Sequence, residues 1–303
     1  MRLIAVEISV GRMGIAVSAA VVCAFCYALS NVLQQHEAEK IPETETLKLG
    51  LIGQLAHRPR WVIGMGADVG GYVFEAIALG SGTLVLVEPI LATSLLLSLF
   101  LGATIHRRHI GRSGWTAAVV LAIGVSMFLG LVAPTRGVEL ASNRSWTIAA
   151  PPIVAFVLAC VALARSARGA NRAVFLGMGA GTLFGTSAVL TKAFVHYLGN
   201  GIFNWVPHWE PYALAVSSIT GLVLAQSAFQ TGALAAAVSA EQVMQPLIGV
   251  ALGVGLLDEK LGISGAAQSV MLVAALFAML WGVLTITRVE NPEIALPPAL
   301  ADG

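Results

Sequence analysis

The sequence predicts an all-α polytopic membrane protein of about nine transmembrane helices, arranged as two inverted four-helix repeats and a connecting helix. Three observations lead to this fold class. Hydrophobic residues make up 57% of the 303 residues, and charged residues only 11%. The apolar residues form long runs, each close to the length that crosses a bilayer. Similar motifs also recur in the two halves of the chain, which indicates an internal duplication.

The composition disfavours the soluble classes of protein. An average soluble domain is about a quarter charged, and so few charges cannot cover a soluble surface of this size at a mean hydropathy of +0.84. A soluble enzyme, a disordered chain and a nucleic-acid binder are therefore not expected. The net charge of +1 indicates no strongly charged partner. Unbroken apolar runs favour helices over a transmembrane β-barrel, whose strands alternate.

Each predicted span is an apolar run of about 20 residues. The nine runs cover residues 14–35, 60–79, 82–103, 114–133, 147–164, 172–193, 210–231, 233–257 and 265–285. Residues 1–13 are predicted to be a short tail, with Met13 as an alternative start, and residues 288–303 a polar tail in the cytoplasm. The segment 36–59 is too polar to cross the membrane, and its amphipathic second half is expected to lie at the membrane interface.

Lys and Arg residues set the predicted orientation, because cytoplasmic loops are richer in them than outer loops. One side of a nine-span chain carries five, which are Arg2, Arg12, Arg136, Arg144 and Lys260. The other side carries eleven, which are Lys40, Lys48, Arg58, Arg60, Arg107, Arg108, Arg112, Arg165, Arg168, Arg172 and Arg288. We therefore expect a multi-pass protein of the plasma membrane with its N-terminus outside and its C-terminus in the cytoplasm.

The duplication is visible as three aligned motifs. ALGSGTL from Ala78 matches AFQTGAL from Ala228, and FCYALSNVL from Phe25 matches TLFGTSAVL from Thr182. The basic loop HRRHIGR after the third span aligns with the acidic DEKLG after the eighth. Opposite charges at matching loops are expected if the two units face opposite sides of the membrane.

These matches divide the chain into a first repeat over residues 14–133, a connector with the fifth span over 134–171, and a second repeat over 172–287. An odd helix between two four-helix units inverts the second unit. Inverted repeats are the usual construction of secondary transporters, which bind their solute near the midplane between the repeats.

At these motifs the chain resembles the drug/metabolite transporter superfamily, of the EamA-like kind. The second half carries QSAFQTGALAAA from Gln226, then Pro246, then LLDEKLG from Leu256. In the first half, RPRWVIG from Arg58 and ALGSGTLVLVEP from Ala78 are similar to NIPA-type magnesium transporters. The resemblance covers about residues 14–287 and implies a transporter.

The magnesium-transporter pattern departs from this sequence at one place. That family has a glutamate after a glycine in the second helix, where this chain has Gly71 and Tyr72. Magnesium is therefore the alternative substrate here.

Ionisable side chains within predicted spans are functional candidates, because charge is costly in hydrocarbon. The second span carries Asp68 and Glu75, the third Glu88, the sixth Lys192 and the eighth Glu241. Four acids against one base favour a cationic substrate, a coupling proton, or carboxyl groups that stay protonated. Near a membrane boundary, an acid such as Glu88 also fits a snorkelling or helix-capping role.

Depth and helical spacing group these candidates. Asp68 and Glu241 each lie about eight residues from the cytoplasmic end of a span, which is roughly 12 Å deep. Both fit a translocation site and a buried structural hydrogen bond equally well. Tyr72 and Glu75 share the face of Asp68 through i, i+4, i+7 spacing. Lys192, near the outer end of its span, is placed to pair with Glu75 or Glu88.

Other residues in the spans suggest packing and bending. Small residues at every fourth position allow close helix packing, as in two stripes, Gly177, Gly181 and Gly185 in the sixth span and Ala20, Ala24 and Ala28 in the first. Pro89 and Pro246 are predicted to bend or break the third and eighth spans, which frees carbonyl groups to line a cavity. Gln226 is a further polar candidate for the substrate site.

The sequence therefore predicts a secondary transporter that moves a small metabolite, drug-like or cationic solute. A transporter of magnesium or another divalent cation and a non-transporting membrane scaffold are the alternatives. The chain has no P-loop and none of the common hydrolase motifs, so we expect no enzymatic activity. No cofactor is expected, and a metal site and a homodimer stay open. The expected partners are the solute and the lipid bilayer, with no nucleic acid.

Topology reporters test the predicted orientation. A fusion after Arg288 should report the cytoplasm, and fusions within residues 195–209 should report the outside, because eleven Lys and Arg residues lie on one side and five on the other. Both chain ends on the same side would contradict the nine-span model and would indicate that segment 36–59 inserts.

Overall fold

Ten α-helices make up the part of the chain that the computed structural model describes, and no strand occurs in that part. The described residues are 2–42, 46–81, 84–106, 111–132, 138, 140–259 and 265–290. The helices are α1 (Arg2–Ala38), α2 (Leu49–Ala56), α3 (Pro59–Ser81), α4 (Leu84–His106), α5 (Arg112–Val132), α6 (Asn143–Ser166), α7 (Gly169–Gly199), α8 (Glu210–Phe229), α9 (Leu234–Leu257) and α10 (Ala266–Glu290).

Seven stretches of these helices are long and apolar enough to cross a membrane, so the chain is an all-α polytopic membrane protein. They are Met13–Ala38, Arg112–Leu131, Asn143–Ser166, Gly169–Gly199, Glu210–Phe229, Leu234–Leu257 and Ala266–Val289. The other two long helices are not among them, since α3 carries Arg60, Asp68 and Glu75 and the described apolar stretch of α4 is Thr93–Ile105. A total of nine spans stays a prediction.

The N-terminal part of the chain differs from the expected short tail. α1 begins at Arg2, so residues 2–13 continue the first helix. No proline interrupts residues 2–38, and nothing in that stretch therefore forces the helix to end. At the other end, α10 continues to Glu290, and the rest of the predicted C-terminal tail lies outside the described residues.

The polar segment after α1 contains the short amphipathic helix α2. Leu51 and Leu55 lie one turn apart and are fully buried, whereas Leu49 is exposed. α2 packs against α3 and α8. Its apolar face therefore docks onto the helical bundle, and Leu47 just before it has a φ of +63°, in the left-handed region that non-glycine residues rarely adopt.

Backbone contact between α7 and α9 depends on the glycine stripe of α7. A Cβ added to any of its three glycines would lie 2.5 or 2.6 Å from a carbonyl oxygen of α9. The facing pairs are Gly177 with Ala237, Gly181 with Glu241, and Gly185 with Gln245. Both members advance by four residues from pair to pair, so α7 and α9 run in the same direction with one turn facing one turn.

The alanine stripe of α1 is also in the interior. Ala20, Ala24 and Ala28 are fully buried, and Ala20 packs in a cluster with Ala78 of α3 and Leu91 of α4. α1 packs along α3 and α4, as α7 packs along α8 and α9, and α5 pairs with α10.

Neither candidate proline ends its helix. α4 continues through Pro89, whose side chain lies outside the described part, and α9 continues through Pro246. Pro246 has no N–H to give to the carbonyl of Gln242 one turn earlier. That carbonyl is therefore available for another partner.

Replacing Gly181 with leucine should destabilise the fold. The side chain would meet the carbonyl oxygen of Glu241 and the Cβ of Met244, at 2.6 and 2.9 Å from the Cβ position, so α7 must move away from α9. We expect a loss of at least about 2 kcal/mol in stability, measured as a lower melting temperature in detergent.

Gly199→Leu is the matched control, because a Cβ at this exposed end of α7 meets nothing within 4 Å. It should melt like the wild type. Equal melting of the two leucine variants would contradict the packing of α7 on α9.

Candidate functional site

The acidic face of α3 is bound by hydroxyl groups of α1. Asp68, Tyr72 and Glu75 share this face. The Ser30 hydroxyl donates to Oδ1 of Asp68 at 3.3 Å, and the Tyr27 hydroxyl donates to Oε2 of Glu75 at 2.5 Å. Each of the two α3 acids therefore has its own hydroxyl donor on the neighbouring helix.

A glycine on α3 makes room for the tyrosine that binds Glu75. A Cβ at Gly71 would lie 2.5 Å from Cε1 of Tyr27, so the ring of Tyr27 lies directly over the α3 backbone. The same ring packs edge-to-face on Tyr72, with 5.7 Å between the ring centroids. Gly71 thus fixes the approach of α1 to α3 and the place of the Tyr27 hydroxyl.

A second set of hydrogen bonds reaches Asp68 from α8. The indole N–H of Trp61 donates to Oε1 of Gln226 at 3.0 Å, and Nε2 of Gln226 donates to Oε1 of Gln34. Nε2 of Gln34 then donates to the Ser30 hydroxyl oxygen at 2.6 Å. With the bond from Ser30 to Asp68, these contacts form one continuous chain, which we call the Trp61–Asp68 chain.

Asp68 also interacts electrostatically with an acid from the second half of the molecule. The charge of Asp68 on α3 acts on Glu241 of α9, and the charge of Glu75 acts on Asp68. Glu241 is surrounded by protein atoms and is nevertheless partly accessible to solvent, as is every residue of α9 from 241 to 250. Asp68 is likewise largely enclosed by protein and partly accessible.

Buried serines of α4 add polar contacts to α9 and α1. Ser94 accepts a hydrogen bond from Nε2 of Gln242 on α9 at 3.2 Å, and Ser98 accepts one from Nδ2 of Asn31 on α1 at 3.3 Å. Polar groups of α1, α3, α4 and α9 therefore converge, and they come from both halves of the chain.

The partner of Lys192 differs from the expected ones. Its ammonium group forms an ion pair with Glu259, in the turn after α9, and not with Glu75, which is bound to Tyr27. Glu259 reaches this place because the helix ends at Asp258 in a left-handed conformation, and the amide of Glu259 then folds back to the carbonyl of Gly253. Glu88 lies on α4, and its side chain is outside the described part.

Gln226, the further polar candidate for the substrate site, lies between packed helices. It is fully buried, and its oxygen and nitrogen both bind protein side chains. Its place is between the two halves of the chain, where it joins α8 to α1 and α3.

The prediction from sequence missed the uncharged members of these networks, Tyr27, Ser30, Gln34 and Trp61. Apart from Tyr72 and Gln226, the candidates were ionisable groups within the spans. A signal was present, because residues 27, 30, 31 and 34 are polar positions at helical spacing on the otherwise apolar stretch 19–34 of α1. Such a stripe on a spanning helix indicates a polar partner.

In the part of the chain that is described, no group of three or more His, Cys, Asp or Glu side chains is arranged to hold a metal ion.

The chain is similar to another protein over most of its length. An uncharacterized protein of Corynebacterium glutamicum is 28% identical over 272 residues, which cover 86% of this chain and 93% of that protein. The similarity therefore extends along nearly the whole length of both. No protein-family model matches the chain, and no solved structure matches it.

Removing Lys192 and removing Glu259 from their ion pair should lower the stability of the protein by different amounts. Glu259 is 9% exposed and Lys192 is 53% exposed. Lys192→Met leaves a buried carboxylate without its partner and should cost about 2 kcal/mol, whereas Glu259→Gln leaves a lysine that water can solvate and should cost less than about 1 kcal/mol. Melting temperatures of the two variants measure the difference.

The double variant Lys192→Met/Glu259→Gln is the control. It should recover most of the loss seen with Lys192→Met alone, because no buried charge remains unpaired. A double variant as unstable as Lys192→Met would assign the loss to the lysine stem and not to the charge.

Proposed function

We propose that this chain is a secondary transporter that carries a small metabolite, drug-like or cationic solute across the plasma membrane. On this proposal Asp68 and Glu241 bind the cationic solute or the coupling proton. The observation that carries it is that α3 and α9 each place a partly accessible carboxyl group among apolar helices, and that the charges of Asp68 and Glu241 interact. Carboxyl groups at such a depth are costly unless they are protonated, paired or hydrated.

The charge balance supports a positive ligand. Lys192 is bound to Glu259 and therefore does not offset the charges of Asp68 and Glu241. Two carboxylates whose charges interact repel each other when both are ionised, so a bound proton or cation lowers the energy of the site. Transport requires that such a ligand be bound and then released.

Matching hydrogen bonds in the two halves support the inverted-repeat arrangement. The sequence offsets of 157 for α1 with α7 and 150 for α3 with α8 place Ser187 opposite Ser30 and Ser218 opposite Asp68. The Ser218 hydroxyl donates to Ser187 at 3.1 Å, as Ser30 binds Asp68 at 3.3 Å. The same pair of positions is therefore hydrogen bonded in both halves.

A second matching contact supports the same arrangement. The offsets relate Tyr27 to Phe184 and Gly71 to Gly221. Each aromatic ring lies over its glycine, with Cε1 at 2.5 Å from a Cβ at Gly71 and 2.9 Å from a Cβ at Gly221. On our proposal α3 and α4 complete the nine spans, α6 connects the repeats, the N-terminus is outside and the C-terminus is in the cytoplasm.

A divalent cation such as magnesium is the second candidate substrate. The observation that favours it is the interaction between the charges of Asp68 and Glu241, since magnesium binds proteins through one or two carboxylates and keeps several waters. A non-transporting membrane scaffold, which would have a packed interior, is the other alternative.

Removing the charges of the two acids should abolish transport or its pH dependence. Asp68→Asn and Glu241→Gln keep size and hydrogen bonding, so packing should survive, and the variants should insert and melt nearly as the wild type does. Proteoliposomes with a trapped pH-sensitive dye, challenged with ammonium-type solutes and with magnesium, measure solute-driven proton movement. We expect a loss of at least about tenfold for either variant.

Asp258→Asn is the matched control, because it removes one carboxylate at an exposed position after α9 and asparagine tolerates the left-handed conformation there. It should transport normally. Unchanged transport and pH dependence in both Asp68→Asn and Glu241→Gln would mean that the two carboxyl groups are structural. The site would then have to be sought first around Ser187, Thr191 and Gln226.

A further inference from the structure

The Trp61–Asp68 chain has a fixed direction. Its first member, the indole N–H of Trp61, can only donate, and its last member, the carboxylate of Asp68, can only accept. Each amide between them accepts through its oxygen and donates through its nitrogen. The orientation of both glutamines is therefore determined by the two ends, and it directs the Ser30 hydroxyl towards Asp68.

Every intermediate member of this chain is shielded from solvent. Ser30, Gln34 and Gln226 are buried, and so is Trp61. Water therefore does not reach these side chains to replace a lost hydrogen bond. When one bond is lost, the neighbouring side chains are free to rotate. Hydrogen bonds in series also polarise one another, so a change at one end reaches the other.

The Trp61–Asp68 chain of hydrogen bonds passes from the first half of the molecule to the second and back to the first. Trp61 is on α3, Gln226 on α8, and Gln34 and Ser30 on α1. Close to Gln226, Ser227 accepts the backbone N–H of the strained Leu47 at 3.0 Å, and Gln230 accepts the Thr46 hydroxyl at 2.9 Å. α8 is thus joined to the first half at several points. Of Gln226, Ser227 and Gln230, Gln226 alone is connected to Asp68 through further hydrogen bonds.

We propose that Gln226 is a positioning residue for Asp68, which directs the Ser30 hydroxyl to the carboxylate only while α8 is in contact with α1 and α3. The proposal rests on the transport function proposed above, since it gives the contact between the two halves a direct effect on the acid of the site. When the halves separate, Gln34 loses its donor, Ser30 is free to rotate, and the carboxylate loses its bond. The hydrogen bonding of Asp68 therefore depends on whether α8 is in contact with α1 and α3.

A purely structural role for Gln226 makes a different prediction. In that case the glutamine only holds α8 against α1, and its loss lowers stability without a specific effect on Asp68. The two roles differ in whether the effect passes through Ser30.

The test follows the reactivity of Asp68 itself and needs no substrate. Dicyclohexylcarbodiimide enters membranes and modifies protonated carboxyl groups. Labelling of the full-length protein in liposomes, followed by peptide mass spectrometry, gives separate rates for Asp68, Glu75 and Glu241. Glu75 is the internal reference, because it is bound by Tyr27 and not by the Trp61–Asp68 chain.

Gln226→Leu should increase the labelling rate of Asp68 about threefold, because a carboxylate that loses a hydrogen bond takes up a proton more readily. The rate for Glu75 should not change. Gln230→Leu is the matched control: it removes contacts of α8 with Thr46 and Ile41 but none that leads to Asp68, and it should label as the wild type does.

A double-variant cycle tests the path. Ser30→Ala should increase Asp68 labelling at least as much as Gln226→Leu, and the double variant should label no faster than Ser30→Ala alone. Wild-type labelling of Asp68 in Gln226→Leu, or increases that multiply in the double variant, would overturn the proposal.

Trp61→Phe covers the case in which Gln226→Leu does not fold. It removes the donor that fixes the direction of the chain and should also accelerate labelling of Asp68, so an unchanged rate would overturn the proposal. A failed transport function is recognised separately, because normal transport by Asp68→Asn and Glu241→Gln would reject the site while leaving the labelling result intact.

Discussion

The structure depends on one constraint, which is that a polar or charged side chain among apolar helices needs a partner or water. Glu75 is satisfied by Tyr27, Asp68 by Ser30 and Glu259 by Lys192. Glu241 instead interacts with the charge of Asp68 and is partly accessible. Glu75 and Glu259 hold helices together through their partners, and on our proposal Asp68 and Glu241 bind a ligand.

Small residues are a precondition for placing these acids. Gly181 allows α7 to touch the carbonyl of Glu241 itself, and Gly71 allows the Tyr27 ring to lie on the α3 backbone. Larger residues at either position would move a helix and with it the carboxyl group that the helix carries. Helix packing and the chemistry of the site are therefore determined by the same contacts.

The two halves share their contacts but not their charges. Ser30 binds Asp68 in the first half, whereas Ser187 binds Ser218 at the matching positions of the second. The position that corresponds to Glu241 by the offset of 151 is Ile90 in the first half. A duplicated framework with one acid from each half, at positions that do not match, gives a single site between the halves.

The sequence by itself determined the helical membrane class and the common face of Asp68, Tyr72 and Glu75, because both follow from local patterns: long apolar runs and a spacing of four and then three residues. Tertiary structure decided which groups meet. Trp61 binds Gln226 from 165 residues away, and Gln226 binds Gln34 from 192 residues away. Lys192 forms its ion pair with Glu259, which a left-handed residue after α9 places there. Periodicity reports only the helix on which a residue lies, and these contacts depend on how distant helices pack.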